Sequence, residues 1–322
     1  MIYPWQIRQW QQLQRQRQDQ RLSHALLLSG AAGLGKRDFA DALARSLLCQ
    51  QPDAEGQACG HCSACKLMQA GTHPDLLQLE PESADKAIKV DDIRELSRAL
   101  VLTSQMGGHK VAVIQLADNM NLNAANSLLK TLEEPTEGSI LLLVSSRPHR
   151  LPITIRSRCQ SMVFHSPDTQ QALSWLQAQG CAEPEALLAL AHGSPLLALQ
   201  QADEALQEPR KQLLEALLPG RQRPAPTRAA EALAKWPLDH LLGTLYDWIG
   251  DLIRWRQGVR SGLVNLDRQA QLEQLAAQIA LPALYAYLDE VVRLRRVQAI
   301  PLNAQLLWED LLISWERIIT RA

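Results

Sequence analysis

Short apolar segments alternate with amphipathic ones through the first half of the chain. Residues 24–29 (HALLLS) form an apolar run that ends at Gly30, and this pattern predicts a buried strand. Four more segments of this kind are predicted as strands: 75–79, 110–116, 140–145 and 160–165. Helical spacing predicts helices between them at 37–49, 90–103 and 121–134, the last ending before Pro135. Short strands alternating with helices predict an α/β domain with a parallel sheet covered on both faces.

The second half of the chain has a different pattern. From Pro167 onward no convincing strand is predicted, so the α/β domain should end near His165. Residues 167–203 predict short helices broken at Gly180 and at Gly193-Ser194-Pro195, and longer amphipathic helices follow, for example at 306–319. The sequence therefore predicts an α/β domain at 1–165 followed by an all-helical part.

Length and charge limit the class of protein. A chain of 322 residues suits two or three domains. The formal net charge of −1 gives no overall field that would attract nucleic acid, so any DNA contact should be local or shared with partners. The longest apolar runs, such as 140–144, are too short to span a bilayer, and the Gln- and Arg-rich start has no apolar core of the signal-peptide type. These features predict a cytoplasmic protein without a membrane partner.

A glycine-rich segment follows the first predicted strand and precedes a predicted helix. Its sequence, Gly30-Ala-Ala-Gly33-Leu-Gly35-Lys36-Arg37, matches G-x-x-x-x-G-K but lacks the final Ser or Thr. In a nucleotide-binding P-loop the backbone N–H groups cradle phosphates, the lysine reaches the outer ones and the final hydroxyl ligates magnesium. Gly30, Gly33, Gly35 and Lys36 are therefore candidate nucleotide contacts, although ATP binding is doubtful; the alternative is a structural glycine turn.

The acidic pair expected beside a P-loop is missing. P-loop ATPases hold magnesium with an Asp at the end of a neighbouring strand, and many add a Glu that activates water. Here Gln115 and Leu116 occupy these positions, and Asp118 lies further along, where a loop or helix-capping role is expected. Arg37 cannot ligate a cation, because guanidinium has no free lone pair. The sequence thus predicts little or no intrinsic ATPase activity.

Four of the six cysteines, Cys49, Cys59, Cys62 and Cys65, lie close together and include two C-x₂-C spacings. In a reducing compartment this clustering predicts a metal site, and four thiolates best suit structural zinc. An iron–sulfur cluster is the competing interpretation, His61 is a less favoured substitute ligand, and a zinc-knuckle nucleic-acid binder is a third possibility. Few basic or aromatic residues flank the cluster, which argues against that third function.

Several motifs together resemble the delta-prime family of bacterial DNA polymerase III clamp-loader subunits, which are AAA+ proteins. They are Tyr3-Pro4-Trp5, His24 to Leu27, the loop at 30–36, the four cysteines, Gly71 to Asp75, Ala125 to Pro135 (ANSLLKTLEEP) and Ser157-Arg158-Cys159. The LLKTLEEP and SRC elements are highly specific to clamp-loader subunits and the last third matches only loosely.

The resemblance implies a RecA-like AAA+ domain at 1–165 with a zinc-binding insertion at 49–65, a helical lid at 166–205 and a helical collar at 206–322. It also implies a non-catalytic stator in a hetero-pentamer with delta and gamma or tau subunits, acting on the sliding clamp and primer–template DNA. Arg158, which by itself is most simply a surface residue, would then be an arginine finger for the ATP site of an adjacent subunit. An active gamma-like ATPase is the alternative.

Overall fold

The computed structural model describes residues 1–83, 86–220, 223–297 and 303–320. The chain divides into two compact units, Met1–Gln171 and Ala172–Ala322. The first unit contains the sheet and the second is helical in all its described parts.

The sheet of the first unit has five parallel strands in the order β2-β3-β4-β1-β5. The strands are β1 (Ala25–Gly30), β2 (Leu76–Leu79), β3 (Lys110–Ile114), β4 (Ser139–Ser145) and β5 (Gln160–Phe164). The predicted parallel α/β fold is confirmed, with strand ends that differ from the sequence prediction by one or two residues. The largest difference is at β3, which ends at Ile114 because Leu116 adopts a left-handed backbone (φ +49).

Among the described residues, six α-helices lie wholly within this unit: α1 (Ile7–Gln18), α2 (Lys36–Leu48), α3 (Ser63–Gln69), α4 (Val90–Val101), α5 (Leu122–Glu133) and α6 (Ile153–Arg156). The start of α5 is fixed by Asn121, whose side chain accepts a hydrogen bond from Ala124 N at 2.8 Å. Its end precedes Pro135, as predicted. Helix α6 is not among the helices that the sequence predicts.

Hydrophobic residues fill both faces of the sheet. Along β1, Leu26 and Leu28 belong to one buried cluster, whereas Ala25 and Leu27 belong to the other. Successive strand residues point to opposite faces, so this division shows that helices cover both sides. The interior strand β1 therefore delivers its carboxyl end, and the glycine-rich segment after it, to a position between the ends of β4 and β5.

The second unit consists of helices. They are α7 (Thr169–Ala178), which spans the boundary, α8 (Pro184–Leu190), α9 (Pro195–Gln201), α10 (Glu204–Leu217), α11 (Pro226–Leu233), α12 (Leu238–Arg256), α13 (Gln269–Gln278), α14 (Leu281–Val297) and α15 (Ala304–Thr320). Helices α7 to α9 share a small core, and α10 to α15 share a larger one that buries Trp248, Trp308 and Trp315. The division into three domains at 165/166 and 205/206 stays a prediction.

Buried polar contacts order the larger helical core. The Asp251 carboxylate, on α12, accepts hydrogen bonds from Val264 N and Asn265 N, and Trp315 Nε1 donates to Leu217 O at 2.8 Å. In the described residues no single helix is long and apolar enough to cross a membrane; one pair bent by 116°, Leu266–Gln278 with Leu281–Arg296, has the required length and composition only when both are counted together.

Candidate functional site

The glycine-rich segment connects β1 to α2 in the position of a phosphate-binding loop. Gly30 has φ +147, and a Cβ added there would lie 2.2 Å from the carbonyl oxygen of Phe164 on β5. Gly35 has φ +77 and forms the N-cap of α2. L side chains rarely adopt these backbone conformations, so the tight passage from strand to helix depends on glycine. The structure thus brings Gly30, Gly33, Gly35 and Lys36 together at the carboxyl edge of the sheet.

Lys36, the first residue of α2, turns back onto the loop. Its Nζ lies 2.5 Å from Ala31 O and 3.2 Å from Ser146 Oγ, and only 4% of the residue is exposed. Burial lowers the pKa of Lys36 to about 8, although the nearby Asp118 charge acts in the opposite direction. The amine that would contact phosphates is therefore bonded to the loop itself and to the segment after β4.

Residues near the start of the chain brace the loop from outside. Trp5 Nε1 and Gln6 Nε2 both donate to Leu34 O, at 3.0 and 2.8 Å. The ring of Tyr3 occupies the space where a Cβ on Gly35 would fall, 2.5 Å away, and its hydroxyl donates to Asp38 at 2.9 Å. Burial and that hydrogen bond raise the pKa of Tyr3 to about 12. The loop therefore has structural partners on its outer side.

The positions expected to hold magnesium carry no carboxylate and no hydroxyl. Gln115 is buried directly after β3, and Leu116 turns the chain into a short 3₁₀ helix at 117–119. Arg37 pairs with Glu80 at 2.6 Å, where both side chains are more than half exposed. The side chains of these three residues therefore provide neither the carboxylate nor the hydroxyl that holds magnesium in a P-loop ATPase.

Asp118 lies close to the loop in a role that the sequence did not indicate. Asp118 lies in the 3₁₀ helix after β3, and its carboxylate forms a buried ion pair with Arg147. Oδ2 accepts from Arg147 Nε at 3.0 Å, Oδ1 accepts from Ser146 N at 3.1 Å, and the side chain is 1% exposed. Burial raises the pKa of this carboxyl, but hydrogen bonds from Ser145, Arg147 and Ser146 outweigh it and hold the pKa below its usual value. The carboxylate thereby ties the segment after β4 to the segment after β3.

A signal for this pair was present in the sequence. The Asp118 segment follows β3 and the Ser-Ser-Arg segment follows β4, and carboxyl ends of neighbouring parallel strands meet at one edge. The pairing of Asp118 with Arg147 follows only if β3 and β4 are known to be neighbours, and the sequence alone does not give the order of the strands.

Arg158 lies just after α6 and is partly exposed. Its NH2 group is 2.7 Å from Glu133 Oε1, with the two side chains 37% and 50% exposed. Its NH1 group lies 3.1 Å from Thr154 O and 3.4 Å from Ser157 Oγ. Arg156, two residues earlier, is also exposed. The sequence pointed to Arg158 but not to its partner Glu133, because nothing local in the sequence links the end of α5 to the turn after α6.

The apolar face of α5 packs on the sheet only in part. Ala125, Leu128 and Leu132 are buried, and Leu129 packs at the margin of the core. Helical spacing places Leu122 on the same face and predicts that it packs on the sheet, but it is 65% exposed, because it is the first helical residue and lies beyond the buried stripe. Lys130 is exposed.

The four clustered cysteines form a compact thiol site. Cys49 follows α2, Cys62 is the N-cap of α3 and Cys65 lies within α3. Their ligand atoms, with that of Cys59, all lie within 4.8 Å of one another, and four of the Sγ–Sγ separations are 3.6 to 3.9 Å. A tetrahedral Zn–S₄ centre with bonds of about 2.3 Å has edges of about 3.8 Å. The group could therefore hold a metal ion such as zinc.

Backbone donors favour the thiolate form at Cys59 and Cys62, whereas burial raises the pKa of the Cys49 and Cys65 thiols. Cys59 N, Cys62 N and Cys65 N point to the sulfurs of Cys49, Cys59 and Cys62 at 3.3 to 3.4 Å. The backbone N–H groups of His61 and Cys62 lower the pKa of the Cys59 thiol. The imidazole of His61 instead contacts Cys59 O at 2.9 Å and is outside the four-ligand group.

The insertion is also fastened to the domain. Trp10 Nε1 donates to Glu55 O at 2.9 Å, and Cys49, Ala64, Cys65 and Met68 belong to the buried cluster under the sheet. Residues between Cys49 and Cys65 are therefore part of the domain structure rather than a loose loop.

The segment Gly193-Ser194-Pro195-Leu196 of the second unit has no cationic side chain after its Gly-Ser pair. Pro195 begins α9, and Leu196 is half-buried.

Comparisons with known proteins agree with these features. A family model described as DNA polymerase III, delta subunit, matches residues 5–168, and one described as its C terminal matches residues 203–317. The protein named DNA polymerase III subunit delta' of Pseudomonas aeruginosa is 41% identical, covering 98% of this chain and 97% of that protein. Its namesake from Escherichia coli (strain K12) is 35% identical, covering 98% and 96%.

A solved structure shares the fold. A gamma subunit-related DNA polymerase III protein of Thermotoga maritima superposes with a TM-score of 0.50 at 21% identity, covering 95% of this chain and 99% of that one. At this identity the likeness concerns the fold alone. With the full-length matches, the chain belongs to the delta-prime family of DNA polymerase III subunits, the clamp-loader family that its motifs resemble.

Proposed function

We propose that this clamp-loader subunit is a non-catalytic stator that lends Arg158 to the ATP site of a neighbouring subunit. The observation that supports it most is the contrast between two places in one domain. Around the phosphate loop, Arg37, Gln115 and Leu116 stand where a cation needs oxygen ligands. Arg158, by contrast, is partly exposed and held by polar contacts on one side.

The chemistry of phosphoryl transfer supports this division of labour. Catalysis of this reaction depends on placing positive charge around the transferred group, through magnesium and through arginine. The only buried carboxylate described beside the loop, Asp118, is already paired with Arg147. A guanidinium that reaches outward can stabilise charge in a site that another chain builds.

The partners proposed for the chain are gamma or tau and delta clamp-loader subunits in a hetero-pentamer. The larger helical core of the second unit is the proposed collar that joins them, and primer–template DNA and the sliding clamp are met through the assembled complex. With a net charge of −1, the chain has no general attraction for DNA, so weak or no binding is expected for the isolated subunit.

The metal proposed for the four cysteines is structural zinc. Four thiolates fill a tetrahedral centre and leave no open position for a substrate. Zinc bound there would cross-link the end of α2 to α3 and stabilise the insertion. An iron–sulfur cluster is the alternative that metal analysis distinguishes.

An active gamma-like ATPase is the second candidate function. It is favoured by the intact Gly33, Gly35 and Lys36 and by the closeness of Asp118 to Lys36. Magnesium-dependent ATP turnover by the purified chain alone would support this candidate and contradict the stator proposal.

The arginine-finger proposal is tested in the reconstituted loader with Arg158→Ala. We expect the steady-state ATPase rate to fall several-fold, because one composite site loses transition-state charge. Arg156→Ala is the matched control, since Arg156 is an exposed arginine of the same segment, and it should leave the rate unchanged. An unaltered rate for Arg158→Ala, in a complex that assembles normally, ends the proposal.

A further inference from the structure

We propose that Glu133 is a positioning residue for Arg158, an inference that rests on the proposed arginine finger. Glu133 is the last residue of α5, and its carboxylate lies 2.7 Å from the Arg158 NH2 group. Arg158 lies in the turn after α6, whereas Glu133 lies on α5, so their contact fixes the guanidinium relative to α5 rather than only to its own turn.

The contacts leave one edge of the guanidinium open. Thr154 O and Ser157 Oγ lie within hydrogen-bonding distance of NH1, and Glu133 takes one N–H of NH2. A guanidinium has five N–H donors, and Nε–H has no partner recorded among the described residues. Nε–H and one N–H of NH2 lie on the same edge of the planar group, and this edge is the fork that oxygens of a phosphate can accept in a bidentate manner.

The position of Glu133 argues against a role in helix stability. A carboxylate in the last turn of a helix faces the negative end of the macrodipole, where cations are favoured. Glu134, the next residue, is also exposed and has no ion pair among the described residues. One acid of the Glu-Glu pair thus engages the candidate finger and the other does not, which makes them a natural test pair.

Positioning has value because an arginine side chain is flexible. An exposed ion pair contributes little to the free energy of folding. The Glu133 contact is therefore better explained by its effect on the orientation of the Arg158 guanidinium. A guanidinium that is already held in place loses less freedom when a neighbour's phosphate arrives, and pre-oriented charge is what lowers a phosphoryl-transfer barrier. Without Glu133, the contacts to Thr154 and Ser157 hold NH1 alone, and the group can turn about that nitrogen.

The test uses the reconstituted loader and measures kcat and KM for ATP. Glu133→Ala is expected to lower kcat several-fold while KM stays unchanged, because the finger acts on the transition state rather than on ground-state binding. Glu134→Ala should leave both values unchanged. Glu133→Gln should recover part of the loss, since its amide oxygen accepts the same bond without the charge.

A double-mutant cycle separates positioning from a structural effect. If Glu133 acts only through Arg158, adding Glu133→Ala to Arg158→Ala lowers kcat no further. The isolated Glu133→Ala and Glu134→Ala chains should have the same melting temperature. Equal values show that a folding defect does not cause the loss of kcat.

The outcomes distinguish this inference from the proposed function. An unchanged kcat for Arg158→Ala overturns both. Where Arg158→Ala does lower kcat, three results overturn the positioning role alone. They are a kcat for Glu133→Ala equal to that of Glu134→Ala, a kcat that Glu133→Ala raises, and a kcat that Glu133→Ala lowers further when it is combined with Arg158→Ala.

Discussion

Nε of Arg147 lies 3.0 Å from Oδ2 of Asp118, and this pair joins the segment after β4 to the 3₁₀ helix after β3. The Asp118 side chain is buried, whereas that of Arg147 is 43% exposed. Asp118 also lies near Lys36, so one carboxylate balances two cations at the carboxyl edge of the sheet.

Replacement of Asp118 should destabilise the domain in a pH-dependent way. Asp118→Asn removes the charge that Arg147 and Ser146 N bind, and we expect a loss of about 1–3 kcal/mol in the free energy of unfolding at pH 7. The folded pKa of Asp118 is below its usual value. Its contribution is therefore complete above the unfolded pKa of about 4 and is lost as the pH falls through the folded pKa.

Urea unfolding of the wild type and Asp118→Asn at pH 7 and at low pH measures this effect. The difference in the free energy of unfolding between the two chains should be smaller at low pH than at pH 7. Asp91→Asn is the control, because the Asp91 side chain is 83% exposed and its ion pair with Arg94 contributes little. A gap at pH 7 no larger than that of the control contradicts the structural role of Asp118.

Lys36 should give a pH dependence of the same sign as Asp118, but in the alkaline range. Its folded pKa of about 8 lies below the unfolded value of about 10.4, so the unfolded chain binds more protons between these values. Stability from this group therefore rises as the pH increases from about 8 to 10. We expect the free energy of unfolding of the wild type, minus that of Lys36→Met, to increase over this interval.

The measurement is denaturant unfolding of both chains at several pH values, with Lys130→Met as the exposed control. Taking the difference between chains removes the contribution of the other groups that titrate in this range. A difference that stays level shows that Lys36 is not held in the buried state described here.

Metal analysis should find about one zinc per chain after purification under reducing conditions. Cys62→Ser should lower both the zinc content and the melting temperature, since the lost ligand loosens the link between α2 and α3. Cys181→Ser is the matched control, because Cys181 lies outside the cluster. Purified chain that holds iron and sulfide instead, or no metal, contradicts the zinc assignment.

Alanine substitutions at two glycines should distinguish the cost of backbone strain from the cost of a steric clash. Gly30 and Gly180 both have positive φ, but an added Cβ meets Phe164 O at 2.2 Å in the first case and nothing within 4 Å in the second. We expect Gly180→Ala to cost about 1–2 kcal/mol and Gly30→Ala about 4 kcal/mol or more, by urea unfolding. Equal losses would mean that β5 moves away from the loop without cost.

The sequence predicted what depends on local pattern. The buried strands, the turn from Gly30 to Lys36 and the grouping of Cys49 with Cys59, Cys62 and Cys65 follow from periodicity, glycine placement and spacing. The left-handed turn at Leu116 was missed, because neither glycine nor asparagine marks it.

Long-range pairings were beyond the same reasoning. Asp118 with Arg147, and Glu133 with Arg158, join residues on different elements, and their partners follow only once the strand order and helix ends are known. The three-domain division and the role of each site residue stay predictions that the experiments above address.

The bracing of Leu34 by Trp5 and Gln6 has a consequence for how the phosphate loop keeps its shape. In many nucleotide enzymes the bound phosphate organises such a loop, whereas here indole and amide donors do so from the opposite side. Lys36 likewise finds its acceptors within the chain. The loop is therefore held in shape by contacts within the chain, and a phosphate would have to displace Ala31 O and Ser146 Oγ to reach the Lys36 ammonium.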